Sequence, residues 1–241
     1  VQLLHTTNKE ILYKNYWYES GINKTMKTHL KDLISNLCTI KKHEIKKIKV
    51  LDIGCNDGTL LNFYPKTVEK FGIDPSQITK KIDRKKIKVI KDFFPPRKNN
   101  LRNINVKFDL ITSIAMFYDL DNPNLFVKNI NNYLKSDGVW VFELSYLIDM
   151  LKLNSFDTIC HEHLEYYSYN SLKYLFEKNG LKIFKMSENK INGGSYRIYC
   201  KKNIKKSIKF KEKAGYKDII KFINRVKQNK KMTVEFIKKN I

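Results

Sequence analysis

The stretch VLDIGCNDGTLL, residues 50–61, ends a short apolar run in Gly54 and begins a helical pattern after Gly58. Glycines let the backbone come close to a ligand, and the first turn of a new helix offers free amide groups. The spacing differs from the GxGxxG of a dinucleotide-binding turn, and Asp57 would repel a diphosphate but suits a ligand with positive charge. An ordinary strand–turn–helix corner is the alternative. We predict a ligand site that includes Asp52, Gly54, Asn56, Asp57 and Gly58.

Short apolar runs alternate with helical patterns along the chain, which predicts an α/β fold with a doubly wound, mostly parallel sheet. Runs such as FDLITSI lack alternation, as expected for strands that are covered on both faces. The predicted parallel strands are residues 48–53, 71–74, 87–90, 108–114 and 138–144. The runs 181–186 and 195–200 predict an antiparallel pair that closes the sheet, so that the last strand is antiparallel. Helices are predicted over 25–38, 124–134 and 168–179, and from about residues 59 and 211.

The composition argues against several classes of protein. The formal net charge is +23, but only five of the 47 basic residues are arginine, which favours a solvated lysine surface over a nucleic-acid interface. No apolar run is long enough for a membrane span, and no signal peptide is visible. The four cysteines form no CxxC pair, so we expect free thiols and a cytoplasmic protein without a bound metal.

Further polar residues follow the other predicted strands. Asp74 ends the second strand, 20 residues after Gly54, where a carboxylate can accept both ribose hydroxyls of an adenosine. Asp92 follows the third strand and could bind an adenine amino group, although capping of a turn explains it equally well. Ser113 and Met116 follow the fourth strand, at the edge of the sheet where such folds bind ligands.

A second group of reactive side chains is His161-Glu162-His163, followed by Tyr166 and Tyr167. The group lacks the HExxH spacing and a third ligand, so zinc is not predicted. Two histidines around a glutamate, with phenols nearby, suit proton transfer near neutral pH. A polar loop with a capping histidine is the alternative.

Taken together, these motifs resemble the S-adenosylmethionine site of class I methyltransferases, and more specifically the sugar-nucleotide C-methyltransferases. The resemblance spans residues 1–203 and implies a Rossmann-like fold with S-adenosylmethionine as cofactor. It rests on the segments 16–29 (YWYESGINKTMKTH), 51–61 (LDIGCNDGTLL), 117–123 (FYDLDNP), 138–147 (GVWVFELSYL), 157–168 (DTICHEHLEYYS) and 192–197 (NGGSYR).

The resemblance implies a reaction. The usual substrate of the family is a dTDP-linked 4-keto-6-deoxy sugar, which loses its C3 proton to a base and attacks the cofactor's methyl group as an enolate. It implies His163 as the base and Glu162 as the residue that orients it. The enolate oxygen would be stabilised by His161 or by phenols, among which we favour Tyr16, Tyr18 and Tyr166.

The resemblance also gives a role to Asn192-Gly193-Gly194-Ser195, which could otherwise be a simple hairpin turn. It implies a loop over the active site, with Asn192, Ser195 and Arg197 near the phosphate or sugar of the substrate.

The family further implies a domain organisation: an aromatic segment and helix over 1–40, the methyltransferase domain over 41–203, and a helical linker over 204–241. Family members also carry a zinc-binding segment before this core and a further domain after it. We therefore expect a catalytic core, either a fragment or one part of a split protein whose partner chain supplies the rest. A methyltransferase of another small molecule and a non-catalytic subunit are the alternatives.

Overall fold

The computed structural model describes residues 5, 7–14, 16–40, 48–97, 106–212 and 215–241. Its strands are β1 (Lys49–Ile53), β2 (Glu69–Ile73), β3 (Lys88–Ile90), β4 (Phe108–Ile114), β5 (Leu134–Ser145), β6 (Lys182–Asn189) and β7 (Ser195–Lys201). They form one seven-stranded sheet in the order β3-β2-β1-β4-β5-β7-β6.

The sheet is mostly parallel, which confirms the predicted α/β class. Strands β1 to β5 pair in parallel, whereas β7 pairs antiparallel with both β5 and β6. The last strand is therefore antiparallel, as predicted. The antiparallel pair also closes the sheet as predicted, with β6 at the edge and β7 between β6 and β5.

The helices cover both faces of the sheet. They are α1 (Lys9–Lys14), α2 (Lys24–Ile40), α3 (Thr59–Asn62), α4 (Pro123–Tyr133), α5 (Leu147–Leu153), α6 (Tyr169–Lys178) and α7 (Tyr216–Asn240). Two helices begin at residues whose side chains cap them. Asn122 accepts the Leu125 amide at the start of α4, and Ser168 accepts the Ser171 amide at the start of α6. These contacts fix where two of the predicted helices begin.

The C-terminal helix begins later than the sequence predicts, at Tyr216 and not at Lys211. Glu212 explains the delay, because its carboxylate accepts hydrogen bonds from the Tyr146 hydroxyl and the Tyr169 amide. The chain is thus anchored to the start of α6 before the helix can form. Helical periodicity alone does not reveal this competing interaction.

Helix α7 is amphipathic, and Phe222 is its buried residue. Hydrophobic side chains nearer its end, such as Phe236, are exposed. Among the described helices, α7 included, none combines the length and apolar character needed to cross a membrane.

The core has two apolar layers, one on each side of the sheet. On one side, Leu33 and Leu37 of α2 pack over β1 and the middle of β5. On the other side, an aromatic cluster centres on Phe117, a fully buried residue of the turn after β4. The centroid of the Phe117 ring lies within 6 Å of the centroids of five other rings, those of Phe126, Trp140, Phe142, Tyr167 and Phe176. This cluster supports the loops that follow β4 and β5.

We predict that Phe117→Ala lowers the free energy of unfolding by about 3–5 kcal/mol, because it leaves a cavity among rings that cannot close around it. Urea denaturation followed by circular dichroism measures the loss. Phe236→Ala is the matched control, since that ring is 68% exposed and its removal should cost little. Equal losses in the two variants would contradict this account of the core.

Candidate active site

A cavity of about 300 Å³ lies at the carboxyl ends of the first four strands. The end of β1 and the turn after it contribute Asp52 to Asn56, and the residues after the next three strands contribute Asp74 (β2), Asp92 (β3) and Met116 (β4). Glu162 and His163 line the cavity from the loop before α6. Further lining comes from the N-terminal region, through Tyr13, Tyr16, Tyr18, Ser20, Met26 and Leu30. The volume and position match those of small-molecule sites in α/β folds.

The turn after β1 has a left-handed backbone at three positions, with φ of 75° at Gly54, 52° at Asn56 and 77° at Gly58. Glycine is needed at 54 for a second reason, since a Cβ there would lie 3.3 Å from Met116 Cγ. The Gly54 amide donates to the Ile73 carbonyl, which joins the turn to the end of β2. The predicted strand–turn–helix is therefore present, with α3 only one turn long.

Asn56 and Asp57 bind a neighbouring segment of the chain, residues 16–22, which we call the strap. The side-chain nitrogen of Asn56, Nδ2, donates to the Tyr18 carbonyl at 2.8 Å, and the Ser20 backbone amide donates to Asn56 Oδ1 at 3.0 Å. The Gly21 amide donates to Asp57 Oδ2 at 2.7 Å. A Cβ on Gly21 would lie 2.6 Å from that oxygen, so glycine is required. These contacts hold the strap beside the cavity.

This arrangement changes the interpretation of two predicted ligand residues. Asp57 and Gly58 do not line the cavity. The second oxygen of Asp57 accepts the Thr59 amide at 3.0 Å, so its carboxylate is fully used by the strap and α3. Asn56 lines the cavity and also binds the strap.

Asp74 lies in the cavity with a fixed orientation. Its Oδ1 accepts the amide and hydroxyl of Ser76, and its Oδ2 accepts the Asn56 amide at 3.0 Å. Asp92 also lines the cavity, but its oxygens accept the amides of Phe93 and Arg97. Asp92 therefore caps its loop, which was the alternative explanation, while remaining at the cavity wall.

Asp52 is the most deeply buried carboxyl group of the cavity. Burial raises its pKa to about 7, although the Thr112 hydroxyl, donating at 2.6 Å, partly opposes the shift. The neighbouring Asp74 adds to the increase. A cation bound nearby would reverse this effect by favouring the ionised carboxylate.

His163 lines the cavity and has a defined tautomer. Its Nδ1 lies 2.8 Å from the Thr158 carbonyl oxygen, which can only accept, so the neutral ring carries its proton on Nδ1. Nε2 is then the nitrogen that can accept a proton. Burial lowers the pKa of the imidazole, which favours the neutral form at neutral pH. The sequence predicts Glu162 as the orienting group, whereas the structure gives that hydrogen bond to Thr158.

The cavity also contains Tyr13, Tyr118 and Asp119, three residues that sequence reasoning missed. The Tyr13 hydroxyl donates to Asp119 Oδ2 at 2.8 Å, and the Tyr13 ring lies 5.2 Å from that of Tyr16. Tyr118 packs its ring 4.3 Å from His163. Asp119 belongs to the segment FYDLDNP, which carries the family resemblance, but nothing in its spacing shows that the carboxyl group turns inward.

Several predicted site residues lie outside the cavity. Ser113 is buried, and its hydroxyl accepts the Trp140 indole N–H at 3.0 Å. Ser195 donates to the Ile191 carbonyl at 2.9 Å in the turn between β6 and β7. His161 is exposed, and the side chain of Asn192 is outside the described part of the chain. Tyr166 lines a small neighbouring cavity that also touches His163.

Arg197 is likewise remote from the cavity, because it belongs to a buried network between β5, β7 and α2. Its guanidinium donates to Glu143, whose other oxygen lies 2.5 Å from His29 Nε2. Arg197 also reaches Asp32 at 3.4 Å. The network secures α2, whose Met26 lines the cavity, so Arg197 supports the cavity through α2 and does not line it.

The comparison with protein families agrees with this geometry. A family model described as a methyltransferase domain matches residues 22–185. The chain belongs to this methyltransferase family. C-methyltransferase NovU from Streptomyces niveus is 26% identical over 204 residues, which is 82% of this chain and 48% of that protein. The chain thus spans about half the length of the curated relative it matches.

Solved structures show the same fold. An S-adenosylmethionine-dependent methyltransferase from Clostridium acetobutylicum has a TM-score of 0.55 at 15% identity, covering 73% of this chain and 92% of its own. Magnesium protoporphyrin IX methyltransferase from Synechocystis, solved with bound S-adenosylhomocysteine, has a TM-score of 0.56 at 10% identity, covering 81% and 92%.

Residues 22–185 thus form a methyltransferase domain, and S-adenosylmethionine, which the description of the Clostridium neighbour names, is the cofactor to compare with the cavity. The chemistry of the cavity fits this cofactor, because carboxyl groups at the ends of β1 and β2 suit a positively charged ligand that carries a ribose. Within the described ranges, no group of three or more histidine, cysteine or acidic side chains is arranged to hold a metal ion.

We predict that Asp74→Ala weakens binding of S-adenosylmethionine to the methyltransferase by about 30- to 150-fold, or about 2–3 kcal/mol, through loss of hydrogen bonds from the ribose to a charged acceptor. Titration calorimetry measures the affinity. Asp83→Asn changes an exposed, ion-paired aspartate and should leave the affinity unchanged. Equal affinity of the Asp74 variant and the wild type would remove Asp74 from the cofactor site.

We also predict that cofactor binding at pH 7 releases roughly half a proton, since a carboxyl group with a pKa near 7 is about half protonated there and a cation favours its ionised form. Affinity should accordingly rise with pH through this range. Calorimetry in two buffers of different protonation enthalpy counts the protons. Asp52→Asn should abolish the release, and a wild-type protein that releases none would contradict a cation beside Asp52.

Proposed function

We propose that the protein methylates a carbon atom next to a ketone in a nucleotide-linked deoxy sugar. The observation that carries this proposal is the neutral His163, held by Thr158 so that Nε2 can accept a proton inside the methyltransferase cavity. Carbon is a poor nucleophile until a base removes a proton from it, whereas the ketone beside it makes that proton acidic. A C-methyltransferase therefore needs such a base next to its cofactor.

His163 takes the proton from the carbon beside the ketone, and the electron pair of that C–H bond moves toward the ketone oxygen. Because burial lowers the pKa of His163, the imidazole remains unprotonated and ready as a base at neutral pH. S-adenosylmethionine supplies an electrophilic methyl group for the carbon. Glu162, which also lines the cavity, would stabilise the imidazolium that forms, because it is a carboxylate near that ring.

The phenol groups of the strap can donate hydrogen bonds to the ketone oxygen of the substrate. Tyr16 and Tyr18 line the cavity, and burial raises the pKa of both, so their hydroxyls stay protonated as hydrogen-bond donors. Donors directed at a developing oxyanion are among the strongest contributions to catalysis. By binding the strap, Asn56 also positions these tyrosines near the place where the substrate would bind.

Methylation of a carbon atom is supported by the likeness to NovU, which is named a C-methyltransferase. The nucleotide-linked sugar is the substrate that the resemblance of the sequence motifs implies. The chain carries a net charge of +23, which favours the approach of an anionic nucleotide. We assign residues 1–40 to an aromatic segment and helix, 41–203 to the methyltransferase domain and 204–241 to a helical linker. Further segments, in the same chain or in a partner chain, would supply the remaining contacts to the nucleotide.

We predict that His163→Asn keeps cofactor affinity but slows methyl transfer by about 10²- to 10⁴-fold, the range that a general base contributes. It should also stop exchange of the C3 hydrogen of a dTDP-linked 4-keto-6-deoxy sugar with deuterated water in the absence of cofactor. Mass spectrometry measures the exchange. In the wild type, exchange should decline only below the ordinary histidine range, because protonation of His163 needs a lower pH.

His161→Asn is the matched comparison, since it removes an exposed imidazole two residues away. The wild-type rate is expected for this variant. Exchange at the wild-type rate in the His163 variant would instead move the role of base to His161 or Tyr166.

A further inference from the structure

Asp119 is a carboxyl group that lines the cavity with only one of its oxygens engaged. Oδ2 accepts the Tyr13 hydroxyl at 2.8 Å. Oδ1 is buried and has no hydrogen-bond partner among the described residues. A buried polar atom without a partner costs about 1–3 kcal/mol, so an atom left in this state beside a ligand cavity points to a bound molecule as its partner.

The surroundings of Asp119 contain more acids than bases. Glu162 approaches from the loop before α6, Tyr13 from α1 and Tyr16 from the strap, and His163 is held neutral nearby. The lysine at this wall, Lys9, is paired with Asp121 at 2.5 Å. Tyr118 adds a further phenol from the same turn as Asp119.

These surroundings decide the ionisation of the group. Burial and the neighbouring Glu162 raise the pKa of Asp119, and the hydrogen bond from Tyr13 opposes them less strongly. A protonated carboxyl group has one carbonyl oxygen and one hydroxyl. Because Oδ2 accepts from Tyr13, the carbonyl is placed at Oδ2 and the proton at Oδ1, the atom that lacks a partner.

We propose that Asp119 is a catalytic residue whose protonated carboxyl group donates a hydrogen bond from Oδ1 to the substrate oxygen on which negative charge develops. This role rests on the proposed function. When His163 Nε2 takes the carbon-bound proton, the C–H electron pair forms a carbon–carbon double bond and the carbonyl π pair moves to oxygen. The Asp119 hydroxyl stabilises that oxygen by a hydrogen bond and keeps its own proton. Tyr13 strengthens the donor by binding the other oxygen.

The kinetic test compares Asp119→Ala, Asp119→Asn and Tyr13→Phe in the exchange of the C3 hydrogen of a dTDP-linked 4-keto-6-deoxy sugar. Loss of an oxyanion donor typically costs about 100- to 1,000-fold, which we expect for Asp119→Ala. Asp119→Asn keeps a donor and should lose less. In the wild type, exchange should also decline at high pH as Asp119 ionises, and this decline should be absent in Asp119→Asn, an effect that a purely structural role would not produce.

A loss of cofactor affinity and of thermal stability in an Asp119 variant would show that the variant is misfolded. Asp83→Asn is the matched control, because it changes an exposed aspartate. A wild-type exchange rate in Asp119→Ala, or an unchanged high-pH decline in Asp119→Asn, would overturn the role of Asp119 while leaving the proposed function intact.

A second measurement does not depend on the sugar. Carbon-13 labelling of the aspartate carboxyl groups lets NMR follow each titration, with the Asp119 signal assigned by its loss in Asp119→Asn. We expect the chemical shift of a protonated carboxyl group at pH 7, moving toward the ionised value at higher pH. An ionised Asp119 at pH 7 overturns the proposal, even if the wild type fails to exchange the sugar and the proposed function itself falls.

Discussion

The hydrogen bonds between Asn56 and the strap are the contact on which the rest of the site depends. Asn56 lies in the turn that follows β1, so it helps to form the wall of the cavity where we propose that the cofactor binds, while its side chain holds Tyr18 and Ser20. One residue therefore fixes the distance between the cofactor turn and the phenols of the strap. Its left-handed backbone, with φ of 52°, is tolerated by asparagine better than by most residues. Substitution here would disturb both halves of the cavity together.

The cavity is acidic inside a strongly basic protein. Asp52, Asp74, Asp119 and Glu162 all line it, yet each has different surroundings. Asp74 accepts backbone amides, Asp52 accepts a single threonine hydroxyl, and Asp119 accepts a tyrosine hydroxyl. The number and kind of donors decide how readily each carboxyl group ionises. A single cavity can thus contain carboxyl groups suited to binding a cation and another suited to donating a hydrogen bond.

Much of the fold could be predicted from the sequence, because apolar runs and their spacing reflect burial on a sheet. The strand segments, the antiparallel pair at the end of the sheet, the cap at Ser168 and the position of Asp74 all follow from local patterns. The functions of Asp57 and Arg197 could not be predicted in the same way. Asp57 binds Gly21, 36 residues earlier in the chain, and Arg197 depends on which face of β7 meets α2. Alternation shows which residues share a face but not what the face contacts.

The strap has a spectroscopic consequence, because the chain contains only two tryptophans and they occupy opposite environments. Trp17 lies in the strap between two tyrosines of the cavity wall and is 82% exposed, whereas Trp140 is fully buried in the aromatic cluster. A water-soluble quencher such as iodide reaches the first indole and not the second. The fluorescence that iodide removes therefore reports on the strap alone, so that the exposure of the strap with and without a ligand can be compared in the unlabelled, unmutated protein.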